Sequence, residues 1–580
     1  MEHRTPEQDR TRTSRFAATA LLVVLAAVSF IPPQTICGIE LRRANILADL
    51  LVFEEAEAEA AEAAEPALFD EEEFRVDLTE VAERIAADTL PQPVQITFEW
   101  NTREACDTTA IAADTLQRPL PVVATPRPDV DSAALRRRTD TTRLHAALIP
   151  IEDFDTTGMS RFTAFCEALL DGERPVRIAF LGDSFVEGDI LTADLRELLQ
   201  VRYGGGGTGF APMASPLTGF RRTVSTQSRG WTAYNIMQYK SVPQALRDRF
   251  YLSGWVCQPA DGASTRWACT DARKRLDRCN TARILFVSRE DSRAEVVLND
   301  GARRTFEIEG DPAVRQIVVR DDSIRSLTFR LLSGAAGTVG YGAIFEEDAG
   351  GGVCVDNYSI RSNNGQAMFR TDPSVNAQID ALLSYDLVVL QYGLNIMQSG
   401  VKGYGGYGAQ IEKMIAYVRE CFPGAAVLVM GVSDRSVRTD GGFEPMDAIP
   451  YMTACQRRAA QHAGAAFWPT AEAMRSLGGM AQFVRNGWAG KDFTHINYAG
   501  GRRVAELLFD AVNARTAALH AAREAEERRR RAEQSVLDSL GRVRIEDRLL
   551  PAAPHVFAVG LPTIATDTPP ARPGTKKHAR

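Results

Sequence analysis

The hydrophobic rhythm of the chain changes several times, and each change marks an element or a boundary. A largely apolar run from Phe16 to Ile31, closed by Pro32-Pro33, gives way to about a hundred residues with little periodicity. Order sets in near Ile149. The spacing predicts a helix over Arg161–Leu170, then an apolar strand through Ile178-Ala179-Phe180-Leu181 that breaks at Gly182-Asp183-Ser184. A second helix follows over Thr192–Arg202, with Leu195, Leu198 and Leu199 on one face. Strand, turn and helix in that order predict the opening of a parallel α/β sheet.

Between residues 216 and 348 the period falls to two. Strands are expected over Arg283–Val287, Ala294–Leu298, Arg304–Ile308, Gln316–Val319 and Ser326–Leu332, separated by Asn, Asp and Gly turns, which predicts an inserted β-sandwich. The α/β pattern then resumes with apolar strands at Asp386–Leu390 and Ala426–Met430, a helix over Gln410–Cys421, and a last helix after Asp492. Residues 516–548 are rich in Ala, Arg and Glu and read as helix, and Pro551–Arg580 has the composition of a disordered tail.

The ends alter the picture more than the average composition does. Net charge is −8 over 580 residues, split between an Ala/Glu run at Glu54–Glu73 and the basic clusters Arg528–Arg531 and Lys576-Lys577, and this gives no support to nucleic-acid binding. Arg4, Arg10, Arg12 and Arg15 precede the apolar run, so residues 1–35 read as a signal anchor that places the remainder in a bacterial periplasm; cleavage would make the protein secreted. Residues 36–145 are expected to be a largely low-order spacer. Nine cysteines occur, and one disulfide is expected among Cys257, Cys269 and Cys279; no metal-ligand spacing appears.

Candidate chemistry sits at the strand break. A serine at the C-terminal end of a parallel strand lies where open α/β sheets carry their sites, and it becomes a nucleophile when a base takes its proton. His495 is the expected base, and Asp492, three positions earlier, is expected to fix its tautomer. The competing reading is a Gly-Asp-Ser turn that merely caps the next helix. Gly204–Gly207 lacks the Lys-Ser/Thr of a phosphate loop and reads as a wall or turn. Trp231, Trp255 and Trp267 are candidates for stacking on sugar rings or for the core, and Arg361, Arg485 and Lys491 for meeting an anionic glycan or for solvation.

The blocks Gly182-Asp183-Ser184, Gly365, Gly393-Leu394-Asn395 and Asp492-Phe493-Thr494-His495, in that order, resemble the SGNH (GDSL-type) hydrolases. The segments GDSFVEGDILTADLRELL, YGGGGTGF and DFTHINYAGG are similar to the envelope-associated branch that handles O-acetyl groups on polysaccharides. The resemblance implies a three-layer α/β fold with a parallel sheet, made from residues 146–215 and 349–515, interrupted by a carbohydrate-module-like sandwich at 216–348 and followed by a helical, then disordered, tail at 516–580. It implies an acetylesterase working through an acyl-enzyme with Ser184, Asp492 and His495, and an oxyanion hole from the Ser184 and Gly365 N–H groups and the Asn395 amide. It implies no cofactor or metal. The substrate implied is an acetylated, peptidoglycan-like polysaccharide. The alternatives are an O-acetyltransferase partnered with a membrane-bound acyltransferase, which would use the same triad, and a non-catalytic glycan-binding protein.

Overall fold

A computed structural model describes residues 35–36, 39–40, 75–87, 89–100, 147–348 and 350–548. The chain divides into two compact units, Met1–Asp70 and Glu71–Arg580. In the first, the described residues are two short antiparallel strands, Thr35–Ile36 and Ile39–Glu40. The apolar run expected to anchor the chain, the Ala/Glu run up to residue 73 and the tail beyond residue 548 lie outside the described residues. Among the described helices none is long and apolar enough to cross a membrane.

Six strands of the larger unit form one sheet in the order Gly352–Asn357, Pro175–Gly182, Leu387–Gln391, Ala426–Met430, Ala466–Trp468 and Glu152–Asp153. All neighbours pair in parallel except the last, two-residue edge strand. A parallel sheet is covered on both faces, so its strands are expected to be largely apolar. Leu387–Gln391 and Ala426–Met430 are buried at every position. One group of helices, Arg161–Asp171, Thr192–Tyr203 and Tyr498–Arg548, packs together against the sheet; a second group, Leu78–Ala86, Pro373–Leu383, Gly405–Cys421 and Ile449–His462, does the same. The Arg161 helix shows why its ends fall where they do. Ser160 accepts a hydrogen bond from the Thr163 N–H at 3.1 Å, Gly172 closes the helix in the left-handed region, and Phe162, Phe165, Cys166 and Leu169 form its buried stripe.

Ten further strands join one hydrogen-bonded network around a core that includes Trp267, Phe286, Phe329 and Phe345. The five strands expected from the period-two pattern are all present, as Cys279–Ser288, Ser292–Leu298, Ala302–Ile308, Asp311–Ile324 and Ser326–Ser333. The network also reaches outside the expected insert. Gly209–Pro212 pairs with Thr338–Glu346, and Val94–Glu99 pairs in parallel with Asp311–Ile324. The segment expected as spacer is therefore ordered in part. Leu78–Ala86 is a helix capped by Asp77, and Val94–Glu99 alternates inward Ile96 and Phe98 with outward neighbours, a six-residue signal too short to stand out alone.

The glycine run has a packing reason. A Cβ at Gly205 would lie 2.6 Å from the Val353 nitrogen, and one at Gly207 would lie 2.2 Å from the Phe345 oxygen, so the chain passes here against the backbone of both sheets. Buried charges hold the same seam. Arg177, on the strand Pro175–Gly182, pairs with Glu346 of the ten-stranded network and with Asp356 at 3.2 Å. Asp189 is bridged by the buried Arg196 at 3.1 Å and by the half-buried Arg221 at 3.0 Å.

Candidate active site

The strand Pro175–Gly182 ends where any side chain on Gly182 would press on Gln391 and Ser359. Asp183 then turns inward and is fully buried. Its carboxylate accepts the Phe185 N–H at 2.9 Å, and its carbonyl accepts the N–H groups of Val186 and Glu187. Asp183 thus satisfies the turn that Ser184 would otherwise cap, and the Ser184 hydroxyl is left facing the surface.

His495 Nε2 lies 3.2 Å from Ser184 Oγ, and His495 Nδ1 lies 2.7 Å from Asp492 Oδ2. The other carboxylate oxygen of Asp492 accepts the N–H groups of Thr494, at 3.1 Å, and His495, at 3.2 Å. The turn is tight enough to set Phe493 at φ +54°. Burial pushes the Asp492 carboxyl up, but the hydrogen bonds from the His495 ring and the two amides outweigh it and hold the group at about 2. The Asp492 hydrogen bond raises the His495 pKa above its ordinary 6.5, against partial burial. The carboxyl of Asp183 is pushed up to about 7 by burial.

The three expected oxyanion donors are differently placed. The Ser184 N–H finds no acceptor among the described residues. Asn395 is brought to the serine turn, its amide donating to Asp183 Oδ2 at 3.3 Å and to the Asn363 carbonyl at 3.0 Å. Gly365 is joined to it through Asn363, whose side-chain oxygen accepts the Gly365 N–H at 2.9 Å. Gly365 has φ +95°, and a Cβ there would meet Met414 Sδ at 2.5 Å, so glycine is required. The sequence pointed to Gly365 and Asn395 and missed Asn363, which links them; its only signal was the Asn363-Asn364-Gly365 run.

The other candidates sort by burial. Trp267 is fully buried, with its indole N–H on the Pro212 carbonyl at 3.1 Å, and Trp231 packs on the same core beside Phe329. Trp255 is half-buried and lines a cavity of about 50 Å3 together with Glu187, Asp189, Arg221, Asn357 and Tyr358. Arg361 is neutralised by Glu187 at 2.5 Å, and Arg485 donates to Gln482. Cys257, Cys269 and Cys279 are free thiols here; Cys269 and Cys279 both face the Ile324 carbonyl, at 3.6 and 3.9 Å.

No family model and no curated protein matches the chain. Among solved structures, a peptidoglycan O-acetylesterase is similar over 63% of this chain and 99% of its own, at 21% identity and a TM-score of 0.51. Weaker likenesses are a putative GDSL-like lipase from Parabacteroides merdae (17% identity, 28% of this chain and 73% of that one, TM-score 0.22) and a family 2 carbohydrate esterase with a carbohydrate-binding domain from Corynascus thermopiles (14%, 50% and 99%, TM-score 0.22). This chain matches nearly the whole of that O-acetylesterase, and one strand of its parallel sheet runs into Gly182-Asp183-Ser184: the chain has the SGNH hydrolase fold.

Proposed function

We propose that this chain is a serine esterase that removes O-acetyl groups from an envelope or exported polysaccharide of the peptidoglycan type, held at the periplasmic face of the membrane by residues 1–35. The observation that carries the reading is the relay from Ser184 through His495 to Asp492, at 3.2 and 2.7 Å, with Ser184 just past the C-terminal end of the strand Pro175–Gly182. In this mechanism Ser184 Oγ attacks the acetyl carbonyl while its proton passes to His495 Nε2. The Ser184 N–H receives the developing oxyanion, and the Asn395 amide and the Gly365 N–H turn to it from Asn363 and Asp183. His495 returns the proton to the departing sugar oxygen, leaving acetyl-Ser184. Water, deprotonated by His495, then releases acetate. Asp492 stays ionised throughout, stabilising the imidazolium.

The test is purified full-length protein on p-nitrophenyl acetate, then on O-acetylated peptidoglycan and acetylated xylan, with acetate release followed alongside acetyl transfer to an added oligosaccharide. Ser184→Ala is expected to fold and to lose about 10³-fold or more in kcat, and fluorophosphonate is expected to label the wild type alone. Labelling that survives the substitution removes Ser184 from the mechanism, and transfer exceeding hydrolysis assigns the chain to acetyl transfer.

A further inference from the structure

The loop after the strand Ala426–Met430 also lies at the C-terminal edge of the parallel sheet. It runs through Asp434 and Arg435 into a small hairpin, Ser436–Thr439 paired with Gly442–Pro445, and returns at Met446, whose N–H donates to the Arg435 carbonyl at 2.9 Å. This hairpin is tied to the catalytic turn. The Ser436 N–H donates to the Phe493 carbonyl at 3.0 Å, and the Phe443 ring stacks on Phe493 with centroids 3.8 Å apart and 8° between planes. Phe493 sits between Asp492 and His495, so the aromatic pair is fixed beside the reacting groups, and Phe443 is 42% exposed.

Asp434 and Arg435 differ in one respect. Asp434 is spent on structure, accepting from Arg475 at 3.0 Å and from the Met480 N–H at 2.8 Å. Arg435 is half-buried, makes no ion pair among the described residues, and has an Nε shielded from solvent with no acceptor. Arg361, Arg475 and Arg221, by contrast, are each paired with a carboxylate, that of Glu187, Asp434 and Asp189 respectively. The field of Arg435 is felt at His495, where it opposes protonation. The terminal nitrogens of Arg435 have no acceptor among the described residues either and are not shielded, so a ligand carboxylate can reach them. A guanidinium matches a carboxylate in plane, and a flat apolar face beside it suits a sugar ring.

We propose that Arg435 and the Phe443–Phe493 pair form a subsite for an acidic sugar, with Arg435 binding the carboxylate of a glycan unit next to the acetylated one. The location beside the ester rests on the esterase reading; the charge preference does not. The reading makes Arg435 a specificity-determining residue, and the substrate class an anionic rather than a neutral glycan.

The experiment separates the two ideas by measuring binding without turnover. Full-length Ser184→Ala protein is titrated calorimetrically with a 4-O-methylglucuronic-acid-substituted xylotetraose, and with the same oligosaccharide after its carboxyl is reduced to the alcohol. The acidic form is expected to bind at least about 10-fold more tightly, with a preference that weakens as salt rises. Arg435→Gln in that background is expected to abolish the preference, and Arg435→Lys to restore part of it, since an ammonium keeps the charge but not the fork. A thermal melt confirms that each variant is folded. Equal affinity for the two oligosaccharides, a preference that survives Arg435→Gln, or no binding of either one overturns the subsite. Acetate release by the wild type without a charge preference leaves the esterase standing and the subsite refuted. A charge preference without acetate release does the reverse.

Discussion

Replacing Asp492 by asparagine tests the proposed relay more severely than removing it. One carboxylate oxygen of Asp492 accepts two backbone N–H groups, those of Thr494 and His495, while the other meets His495 Nδ1 at 2.7 Å. In Asp492→Asn the amide oxygen must stay on the two backbone donors, because turning the NH₂ toward them would set donor against donor. The NH₂ then faces His495 Nδ1. That nitrogen is forced to accept, the ring proton moves to Nε2, and Nε2 can no longer take the proton of Ser184, 3.2 Å away. A wrong tautomer costs about 10⁴-fold in kcat in the serine-protease triad, and a loss of roughly 10³–10⁴ is expected here. Asp492→Ala imposes no tautomer. The site is half open to solvent, so water can serve Nδ1, and the expected loss is smaller, about 10²-fold. Both variants remove the group that raises the His495 pKa, so the acid limb of kcat/KM should move to lower pH in each. The assay is p-nitrophenyl acetate hydrolysis from pH 5 to 9, with imidazole ¹⁵N shifts to read the tautomer. If the asparagine variant retains more activity than the alanine variant, or loses less than about 10-fold, the assignment of Asp492 as the orienting acid is wrong.

Three further outcomes follow from the geometry. In wild type, kcat/KM should fall as pH drops through a His495 pKa above 6.5, because the neutral ring must accept the serine proton; a flat profile between pH 5 and 8 contradicts this. Trp267→Ala should destabilise the fold by about 3–5 kcal/mol in a denaturant melt, whereas Trp255→Ala should melt normally and lower the ratio of glycan to p-nitrophenyl acetate turnover; equal melts for the two would refute the burial argument. Under oxidising conditions in vitro Cys269 and Cys279 should be the pair that joins, stabilising by about 2–3 kcal/mol for so short a loop, and non-reducing peptide mapping that finds Cys257 bonded instead would exclude it.

The parallel sheet was legible because strands buried on both faces carry few polar residues: Ala426–Met430 appears with the bounds its sequence suggested, and Leu387–Gln391 is shifted by a single residue. Helix ends were less legible where no capping residue marks them. The Gly405–Cys421 helix begins five residues before the expected Gln410, with no side-chain cap. The tryptophans show what pattern alone leaves open. Trp255 and Trp267 share a parity along one strand, Trp255–Cys269, and so point to the same face. Trp267 lies where that face covers the core; Trp255 is the first residue, where the sheet gives out at the cavity. Asn363 and Arg435 were invisible for another reason. Their importance lies in contacts made or left unmade across 30 to 60 residues of chain, and neither carries a periodic signal.

The charges in the seam also decide how a pH profile of this protein is to be read. Burial alone would raise the Glu346 carboxyl, but Arg177 and Arg283 hold it at about 2, below its ordinary 4.5. A depressed carboxylate stabilises the fold at all pH above its unfolded value and loses that contribution only as pH falls toward 2, so the seam stays closed between pH 5 and 8. Asp183 behaves in the opposite sense. Burial raises it to about 7, so the folded state keeps a proton that the unfolded state has already released, and stability declines as pH climbs from about 4 to 7. Turnover governed by a neutral His495 should climb through the upper part of that range. A gain in activity with pH therefore runs against the change in stability, and cannot be produced by it.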